Sequence, residues 1–360
     1  MSPRLALSLT GIKPSYDVIV VGSGYGGGVA AARLARAGKT VCVLERGREF
    51  QTGEFPSRFP DLRREMQVDA RTWSSGSPSA LFDVRMSDDM HVLVGCGVGG
   101  GSLVNAGVTL RPDARVFADE VWPDPIRQDG MLDEGYARAR RWLRPARDPR
   151  AAEKTKFKAL EQASAALGVP PIAPEVAVSF EDTVNVAGIG QPACTGCGDC
   201  CGGCNVGAKN TVALTYLPEA KRHGAEIFSH AKVRYVSRAS DGRWHVIVRR
   251  LDDETRAPAE IVVAADMVVL AAGTLGSTEI LLRSRERGLV LSDRLGQRFS
   301  ANGDIIAFGY GAKVPVGSVG VGYPSKVPGT EIGAAVSGQI ELHDADDLAR
   351  ELTIQEGVVP

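Results

Sequence analysis

Residues Tyr16 to Gly47 read YDVIVVGSGYGGGVAAARLARAGKTVCVLERG, and this stretch decides the fold. An apolar run predicts a strand at 17–21, a helical pattern follows to Ala37, and a second apolar run ends at Glu45. The order of strand, glycine turn, helix, strand and acid is typical of a βαβ unit that binds a dinucleotide.

The glycine turn of this unit matches the pattern GxGxxG at Gly22, Gly24 and Gly27. The first glycine permits a tight turn, the second lets backbone approach a pyrophosphate, and the third lets the helix pack close to the strand. The N-terminus of the helix offers amide donors and a positive dipole end to the phosphates. Glu45 is placed to accept both hydroxyls of an adenosine ribose, and an acid there disfavours the 2'-phosphate of NADP.

Composition and charge indicate a soluble globular protein, since 44% of the 360 residues are hydrophobic, 24% are charged, and the formal net charge is -1. This charge gives no attraction to nucleic acid or to an anionic membrane surface. The longest apolar stretch, 261–272, contains Asp266 and is too short to span a bilayer. The N-terminal residues do not resemble a secretory signal, so we expect a cytoplasmic protein without an integral membrane segment.

A second glycine-rich stretch lies at 90–112 and reads MHVLVGCGVGGGSLVNAGVTLRP. A strand pattern at 92–94 runs into five glycines within seven residues, followed by Ser102 and Asn105. The glycines formally repeat GxGxxG, but no second strand with a terminal acid follows at the expected distance. We therefore predict backbone brought against a flat ligand surface, with a mobile glycine loop as the alternative.

These two stretches together, GSGYGGG with ERG and then GxGVGGGSLVNAG, resemble the glucose-methanol-choline family of FAD oxidoreductases, and within it the cholesterol oxidase branch. The resemblance implies that FAD is the cofactor, with Tyr25 and Gly26 beside its pyrophosphate and Glu45 on its adenosine ribose. It also implies that Gly101 and Asn105 lie along the ribityl chain and isoalloxazine ring.

One residue departs from the resemblance, since Cys96 stands where cholesterol oxidases tend to carry arginine. A third motif at 267–284, MVVLAAGTLGSTEILLRS, again predicts a strand, a glycine turn and a helix. It resembles the second signature of the family and implies that Gly273 and Thr274 lie near the pyrophosphate. The predicted cofactor-binding residues are Gly22, Gly24, Tyr25, Gly26, Gly27, Glu45, Gly100, Gly101, Ser102, Asn105, Val233, Gly273 and Thr274.

Between these motifs, alternating patterns predict strands at 231–237, 243–251 and 260–263, with Asp241-Gly242 as a hairpin turn. The expected fold is thus an α/β, doubly wound (Rossmann-like) FAD-binding domain with an inserted β-meander. In the family the first of these strands passes the adenine, which makes Val233 a predicted backbone contact.

The remaining segments complete the predicted domain organisation. Residues 1–15 are an N-terminal arm, and 16–304 form the FAD-binding domain, with an irregular excursion at 50–88. Helical patterns cover 114–143, interrupted by prolines, and 156–167, where Phe157, Leu160, Ser164 and Leu167 form a weak one-sided stripe. Alternation at 305–308 and 334–340 predicts an antiparallel sheet, so 305–360 is expected to be the incomplete beginning of a substrate-binding domain.

A cysteine-rich segment at 191–211 reads QPACTGCGDCCGGCNVGAKNT. Cys194, Cys197, Cys200 and Cys204 match the CxxCxxCxxxC spacing of bacterial ferredoxins, although no proline follows the last of them. An iron–sulfur cluster, a zinc ion on the same thiolates, and a metal-free loop that also contains Cys201 remain open. Disulfides are disfavoured by the expected compartment.

The C-terminal sequence LTIQEGVVP places Glu356 where the resemblance implies a catalytic glutamate. A carboxyl group in an apolar pocket has a raised pKa and can accept a proton during double-bond migration. The family's active-site histidine lies in a later segment that has no counterpart here, so the resemblance implies a C-terminally truncated chain with weak or no turnover.

The resemblance implies FAD-dependent oxidation of the CH–OH group of an alcohol, with a 3-hydroxysteroid such as cholesterol as the expected substrate. Oxygen or another acceptor would reoxidise the flavin. Three alternatives remain: a non-catalytic FAD-binding fragment, an electron-transfer protein with flavin and an iron–sulfur cluster, and an oxidoreductase of the same family for a non-steroid alcohol.

Overall fold

The computed structural model describes residues 4–128, 130–251 and 260–359. The chain divides into two compact units. The first comprises Met1–Gln51, Arg58–Leu103 and Val212–Gly309, and the second comprises Thr52–Ser57, Val104–Thr211 and Tyr310–Pro360. The predicted domain boundary at 304/305 stays a prediction.

Short strands predominate in the described residues. They are β1 Ala6–Leu7, β2 Ser15–Val21, β3 Val41–Leu44, β4 Met66–Asp69, β5 Ser74–Ser75, β6 Phe82–Met86, β7 His91–Gly95, β8 Thr183–Val184, β9 Gly190–Gln191, β10 Glu226–Phe228, β11 Ala231–Arg238, β12 Trp244–Arg250, β13 Glu260–Leu270, β14 Gln339–Leu342 and β15 Leu352–Gln355. The helices are α1 Tyr25–Arg36, α2 Phe59–Arg64, α3 Ala114–Phe117, α4 Asp124–Gln128, α5 Met131–Leu143, α6 Thr155–Ser164, α7 Tyr216–Arg222 and α8 Gly273–Arg285.

The main sheet of the first unit has the strand order β1-β10-β3-β2-β13-β12-β11. Strands β10, β3, β2 and β13 run parallel, whereas β13, β12 and β11 form an antiparallel meander. Ile19, Val20 and Val43 are fully buried, because a parallel strand covered on both faces needs a continuous apolar run. The prediction of a doubly wound α/β fold with an inserted meander is confirmed.

The meander follows the predicted pattern with one difference. The turn at Asp241-Gly242 joins β11 to β12, and Gly242 adopts a positive φ of 83°. By contrast, β13 does not end at Val263 but continues to Leu270, so one long strand pairs with both β12 and β2. The predicted strand that begins at Met267 is the second half of this element.

The prediction of an irregular excursion at 50–88 is wrong where this stretch forms regular elements. It contains α2 and most of a four-stranded sheet with the order β5-β4-β6-β7. Gln67 of β4 and Asp83 of β6 are paired across this sheet and are both buried. Polar residues at buried positions break the apolar alternation by which a strand is recognised in sequence.

The helices of the second unit follow the sequence pattern closely. The pattern at 114–143 is divided into α3, α4 and α5, with both prolines near the first break and the beginning of α4. In α6, Phe157, Leu160 and Ser164 are buried as the predicted stripe requires, but Leu167 lies beyond the end of the helix and is 46% exposed.

The predicted antiparallel sheet after residue 305 is present only in part. Residues 305–308 form no strand and are exposed, whereas β14 pairs with β15 over Gln339 to Leu342. The short alternation at 305–308 is therefore misleading, because alternation without a neighbouring strand forms no sheet. Across the described residues, no helix has both the length and the hydropathy required to cross a bilayer.

Candidate functional site

The candidate site is a cavity of about 370 Å³ that lies entirely within the first unit. The ends of β2 and β3, the second glycine-rich stretch, β11 and the beginning of α8 supply its wall. The predicted cofactor-binding residues that line it are Gly22, Gly24, Tyr25, Gly26, Glu45, Gly100, Gly101, Val233 and Gly273.

Two helix N-termini face this cavity. The first turn of α1 contributes Tyr25 and Gly26, and the first turn of α8 contributes Gly273 and Gly276. The N-cap residue of α1, Gly24, makes no side-chain capping hydrogen bond. Each N-terminus brings backbone amide donors and a positive dipole end to the cavity, and this combination favours a diphosphate.

The glycines of the two motifs allow backbone segments to touch each other. A Cβ on Gly27 would lie 2.0 Å from the carbonyl oxygen of Gly22, so close packing of α1 on the turn requires glycine, as the spacing predicts. Gly100 has a φ of 57°, and a Cβ there would lie 2.6 Å from Cα of Gly24. The second glycine stretch is therefore packed against the first, while Gly101 has open space on its Cβ side.

Glu45 directly follows β3 and is buried against the turn at the end of β2. Its Oε2 atom accepts hydrogen bonds from the amide (3.0 Å) and the hydroxyl (2.6 Å) of Ser23, and its Oε1 atom accepts one from the amide of Gly47 (2.8 Å). Burial raises the pKa of the Glu45 carboxyl, against the opposite effect of these donors. The residue predicted to hold a ribose also fixes the conformation of the glycine turn.

Ser23 is a residue that sequence reasoning missed, because it occupies a variable position of the GxGxxG pattern. It is completely buried, and its hydroxyl accepts a hydrogen bond of 3.0 Å from the amide of Gly99 while it donates to Glu45. Ser23 therefore links the first glycine turn to the second.

Replacing Ser23 with alanine is expected to lower the free energy of unfolding by about 1–3 kcal/mol, since Glu45 and the Gly99 amide each lose a buried partner. Urea denaturation measures this loss. Ser75→Ala, at an exposed position, is the control and should change the free energy by no more than about 0.5 kcal/mol. Equal stability of the two variants would show that the link is not needed.

A network of charged side chains forms another part of the cavity wall. Asp83 is buried and pairs with Arg46 at 2.5 Å and with Arg85 at 2.7 Å. Arg85 also pairs with Glu279 of α8 at 3.1 Å, and Glu279 pairs with Arg283 at 3.3 Å. Arg46 lies in the ERG triplet, and Glu279 and Arg283 lie in the third motif. Asp83 and Arg85 come from the stretch that was expected to be irregular, so sequence reasoning did not connect the members of this network.

Two further residues of the wall have pKa values shifted by burial. The pKa of the Lys232 ammonium is lowered by burial and by the neighbouring charges of Arg46 and Arg234. Burial also raises the pKa of the Cys96 thiol to about 12. Cys96, where cholesterol oxidases tend to carry arginine, is thus a buried thiol beside the Arg46 guanidinium.

Some predicted residues do not line the cavity. Ser102 is buried, and its hydroxyl donates to the carbonyl of Gly99 and accepts from the amide of Val212. Gly27 lets α1 pack closely on the turn at Gly22. Thr274 follows Gly273 in the first turn of α8. Asn105 belongs to the second unit, where its carbonyl oxygen accepts a hydrogen bond of 2.5 Å from Lys209.

Glu356 lies in the second unit, where its carboxylate faces a lysine and two backbone amides. Its Oε2 atom is 3.0 Å from Nζ of Lys156, and its Oε1 atom accepts hydrogen bonds from the amides of Ser337 (2.6 Å) and Gly338 (2.7 Å). Burial raises the pKa of the Glu356 carboxyl, and Lys156 opposes that shift. Its catalytic role stays a prediction.

The cysteine-rich segment at 191–211 is mainly loop in the second unit, and its five cysteines are free thiols. Within the part of the chain that the structure describes, no three His, Cys, Asp or Glu side chains meet closely enough to hold a metal ion.

The fold and the cavity define a dinucleotide-binding α/β protein of the doubly wound class. A family model described as GMC oxidoreductase matches residues 16–300. The chain therefore belongs to the GMC oxidoreductase family.

Curated relatives agree with this assignment. Cholesterol oxidase of Mycobacterium tuberculosis is 33% identical over 310 residues, which is 82% of this chain and 53% of the relative. A cholesterol oxidase of Acinetobacter baumannii is 27% identical over 312 residues, 81% of this chain and 55% of that protein. A fungal aryl-alcohol oxidase has a TM-score of 0.49 at 16% identity, over 76% of this chain and 48% of that one. The chain spans about half the length of the curated relatives it matches.

GMC oxidoreductases are FAD-dependent flavoproteins, so FAD is the cofactor of this chain. The residues that line the cavity fit that cofactor. Gly26 and Gly101 have no atom within 4 Å of where a Cβ would lie, so backbone at both glycine turns is open to a ligand. The two helix N-termini supply donors for a pyrophosphate.

Proposed function

We propose that this chain is the FAD-binding part of an oxidoreductase that acts on the CH–OH group of alcohols. The cavity between two helix N-termini and two glycine turns is the observation that carries the proposal. FAD, when bound, supplies the acceptor for the hydride that leaves the alcohol carbon. Oxygen or another acceptor then removes the electrons.

The residues of the cavity have distinct proposed roles. The first turns of α1 and α8 bind the pyrophosphate through backbone amides, and Glu45 binds the adenosine ribose from the end of β3. Val233 of β11 contacts the adenine, and Gly101 leaves space for the ribityl chain. The Asp83 network holds Arg46 and Arg85 in place at the wall.

We further propose a 3-hydroxysteroid as the alcohol. Two of the relatives above are named cholesterol oxidase, which supports this choice. A long-chain-alcohol oxidase of Arabidopsis thaliana, 29% identical over 217 residues, 60% of this chain and 26% of that protein, favours a long aliphatic alcohol as the second candidate. Within the steroid proposal, Glu356 is the proton acceptor for double-bond migration, and its raised pKa suits that task.

The proposal is tested in two steps on the purified chain. First, FAD is titrated into apoprotein, and binding is followed by quenching of flavin fluorescence. Second, the FAD-loaded chain is mixed anaerobically with cholesterol or with a long-chain primary alcohol, and bleaching of the flavin absorption reports hydride transfer.

Saturable FAD binding with slow bleaching by one of the alcohols is the expected result, in keeping with the weak turnover that the sequence predicts, and the more effective alcohol identifies the substrate class. FAD binding without bleaching by any alcohol would instead support a non-catalytic FAD-binding fragment. A chain that does not bind FAD would contradict the proposal at its first step.

A further inference from the structure

Lys156 and Glu356 form a buried ion pair in the second unit, although they are distant in the sequence. Nζ of Lys156 lies 3.0 Å from Oε2 of Glu356, and the two side chains are 1% and 8% exposed. Removing two charges from water is costly, and further hydrogen bonds are needed to offset that cost. The neighbours of the two side chains therefore determine how the pair is held.

The ammonium group of Lys156 is surrounded by oxygen atoms. Nζ donates to the carbonyl oxygens of Ala334 (2.5 Å) and Ala335 (3.1 Å), and the Glu356 carboxylate is its third neighbour. An ammonium group has three N–H donors, so three acceptors match its charged form. Burial lowers the pKa of Lys156, and the Glu356 carboxylate opposes that shift.

The two oxygen atoms of the Glu356 carboxylate have different surroundings. Oε1 accepts hydrogen bonds from the amides of Ser337 (2.6 Å) and Gly338 (2.7 Å). Oε2 faces Nζ of Lys156 but makes no hydrogen bond within the described residues. Oε1 is therefore held by the backbone, while Oε2 keeps lone pairs that can accept a proton.

Backbone pairing fixes the position of this carboxylate. Glu356 directly follows β15, and its amide donates to the carbonyl oxygen of Gly338 at 3.3 Å. A Cβ on Gly338 would lie 2.8 Å from the ring of Phe157, so this loop rests directly on α6. Lys156 and Glu356 therefore approach each other from two elements that pack on the same loop.

A carboxyl group in this position needs a cation to keep its charge. Burial raises the pKa of Glu356, whereas Lys156 and the two amides lower it. An opposite charge within about 4–6 Å lowers the pKa of a carboxyl group by about 1–3. A higher pKa makes a carboxylate a better base only while the group stays ionised, because a protonated carboxyl group cannot accept a further proton.

We propose that Lys156 is a positioning residue for Glu356: its ammonium group keeps the carboxylate charged at neutral pH, so that Oε2 can accept a proton. The inference rests on the proposed role of Glu356 in double-bond migration. In that step a C–H bond breaks at the carbon between the carbonyl group and the double bond, and the proton goes to Oε2. The remaining electron pair forms a dienolate. The proton then joins the far carbon of the former double bond, and no electrons are gained or lost overall.

The other titratable groups near the pair act on the lysine. The Cys200 thiol and the Asp148 carboxyl group both raise the pKa of Lys156 and so favour its charged form. The loop at 333–338 carries no titratable side chain, and Lys156 is the charged group that shifts Glu356. A change in the titration of Glu356 when Lys156 is replaced therefore reports the ion pair.

The first test uses the β,γ-unsaturated ketone of cholesterol, because its isomerisation needs neither flavin nor oxidant. The full chain is mixed with this ketone over a range of pH, and the ultraviolet absorption of the conjugated product gives the rate. Lys156→Met should move the acid limb of the pH–rate profile upwards by about 1–3 pH units, since Glu356 is then protonated at higher pH. Lys158→Met, at an exposed position of the same helix, should leave the profile unchanged.

Infrared spectroscopy provides a second measurement that does not depend on the folding of a Lys156 variant. The C=O stretch of a protonated carboxyl group, assigned by its loss in Glu356→Gln, reports the charge of Glu356 in the unsubstituted chain. We expect this band to be absent at neutral pH and to appear as the pH falls.

A Glu356 carboxyl band at neutral pH in the unsubstituted chain would overturn the proposal, and so would a pH–rate profile that is the same in Lys156→Met and Lys158→Met. A lack of isomerisation by the unsubstituted chain would contradict the proposed role of Glu356 and, with it, this inference. An ionised Glu356 in the infrared spectrum would then attribute the failure to the proposed reaction and not to the ion pair.

Discussion

Replacing Lys156 with methionine is expected to lower the free energy of unfolding by about 3–5 kcal/mol, because the change leaves the Glu356 carboxylate buried without its cation. The Lys156 side chain is 1% exposed and the Glu356 side chain is 8% exposed, with 3.0 Å between Nζ and Oε2. Nζ also donates to the carbonyl oxygens of Ala334 (2.5 Å) and Ala335 (3.1 Å), so these acceptors lose a partner as well. Urea denaturation at pH 7 measures the loss.

A matched control comes from the same helix. Lys158 is exposed two residues further along α6, and Lys158→Met should change the free energy of unfolding by no more than about 0.5 kcal/mol. The double variant Lys156→Met with Glu356→Leu should recover most of the stability, since it removes both charges together. A loss in Lys156→Met no greater than in Lys158→Met would contradict a stabilising ion pair.

The pH dependence of the Lys156→Met variant follows from the same contact. Lys156 opposes the rise in the Glu356 pKa that burial causes, so its removal raises that pKa further. When the folded-state pKa of a carboxyl group is raised, the folded state is favoured while the group is protonated. The free energy of unfolding then decreases as the pH rises through that pKa. The destabilisation should therefore shrink as the pH falls towards the ordinary glutamate pKa of about 4.3.

The burial of Lys156 shows why part of the second unit could not be read from sequence. The helical period in α6 predicted a stripe through Phe157, Leu160 and Ser164, and these residues are buried. The same period gives no reason to bury a lysine. Its partner Glu356 is distant in the sequence, and only tertiary packing brings the two charges together.

The first unit was predictable where its signals are local. The strand, glycine turn and helix at 16–37 lie within a single window of sequence, and the hairpin turn at Asp241-Gly242 is a two-residue signal. The sheet formed by β4 to β7 was missed because Asp83 is a buried acid whose partners, Arg46 and Arg85, lie on other segments or later in its own strand. This part of the cavity wall is therefore held by ion pairs, and the hydrophobic periodicity of the sequence does not reveal them.

In the candidate site, the sequence predicted which residues take part but not how they contact each other. Spacing alone predicted that Gly22, Gly24 and Glu45 act together, and all three line the cavity. It did not reveal that the carboxylate of Glu45 is held by Ser23, or that the second glycine stretch rests on the backbone of the first. Such contacts between two turns require both turns to be positioned by the sheet.

Substituting Gly100 with alanine is expected to disrupt this contact and to weaken FAD binding by at least about tenfold, which corresponds to about 1.4 kcal/mol. The residue has a φ of 57°, which costs an L-residue about 1–2 kcal/mol. The new Cβ would also lie 2.6 Å from Cα and 3.1 Å from the amide nitrogen of Gly24, both backbone atoms at the beginning of α1. The loss of stability without cofactor should reach about 2–4 kcal/mol, measured by urea denaturation of apoprotein.

The Gly101→Ala variant distinguishes a direct effect on FAD binding from a loss of the contact between the two glycine turns. A Cβ on Gly101 meets no atom within 4 Å, yet the residue lines the cavity. The apoprotein of this variant should keep its stability within about 0.5 kcal/mol, while FAD binding weakens because the methyl group projects into open space that the cofactor uses. Unchanged FAD binding in Gly101→Ala would mean that this turn supports α1 without touching the flavin, whereas unchanged stability in Gly100→Ala would mean that the two turns can move apart without cost.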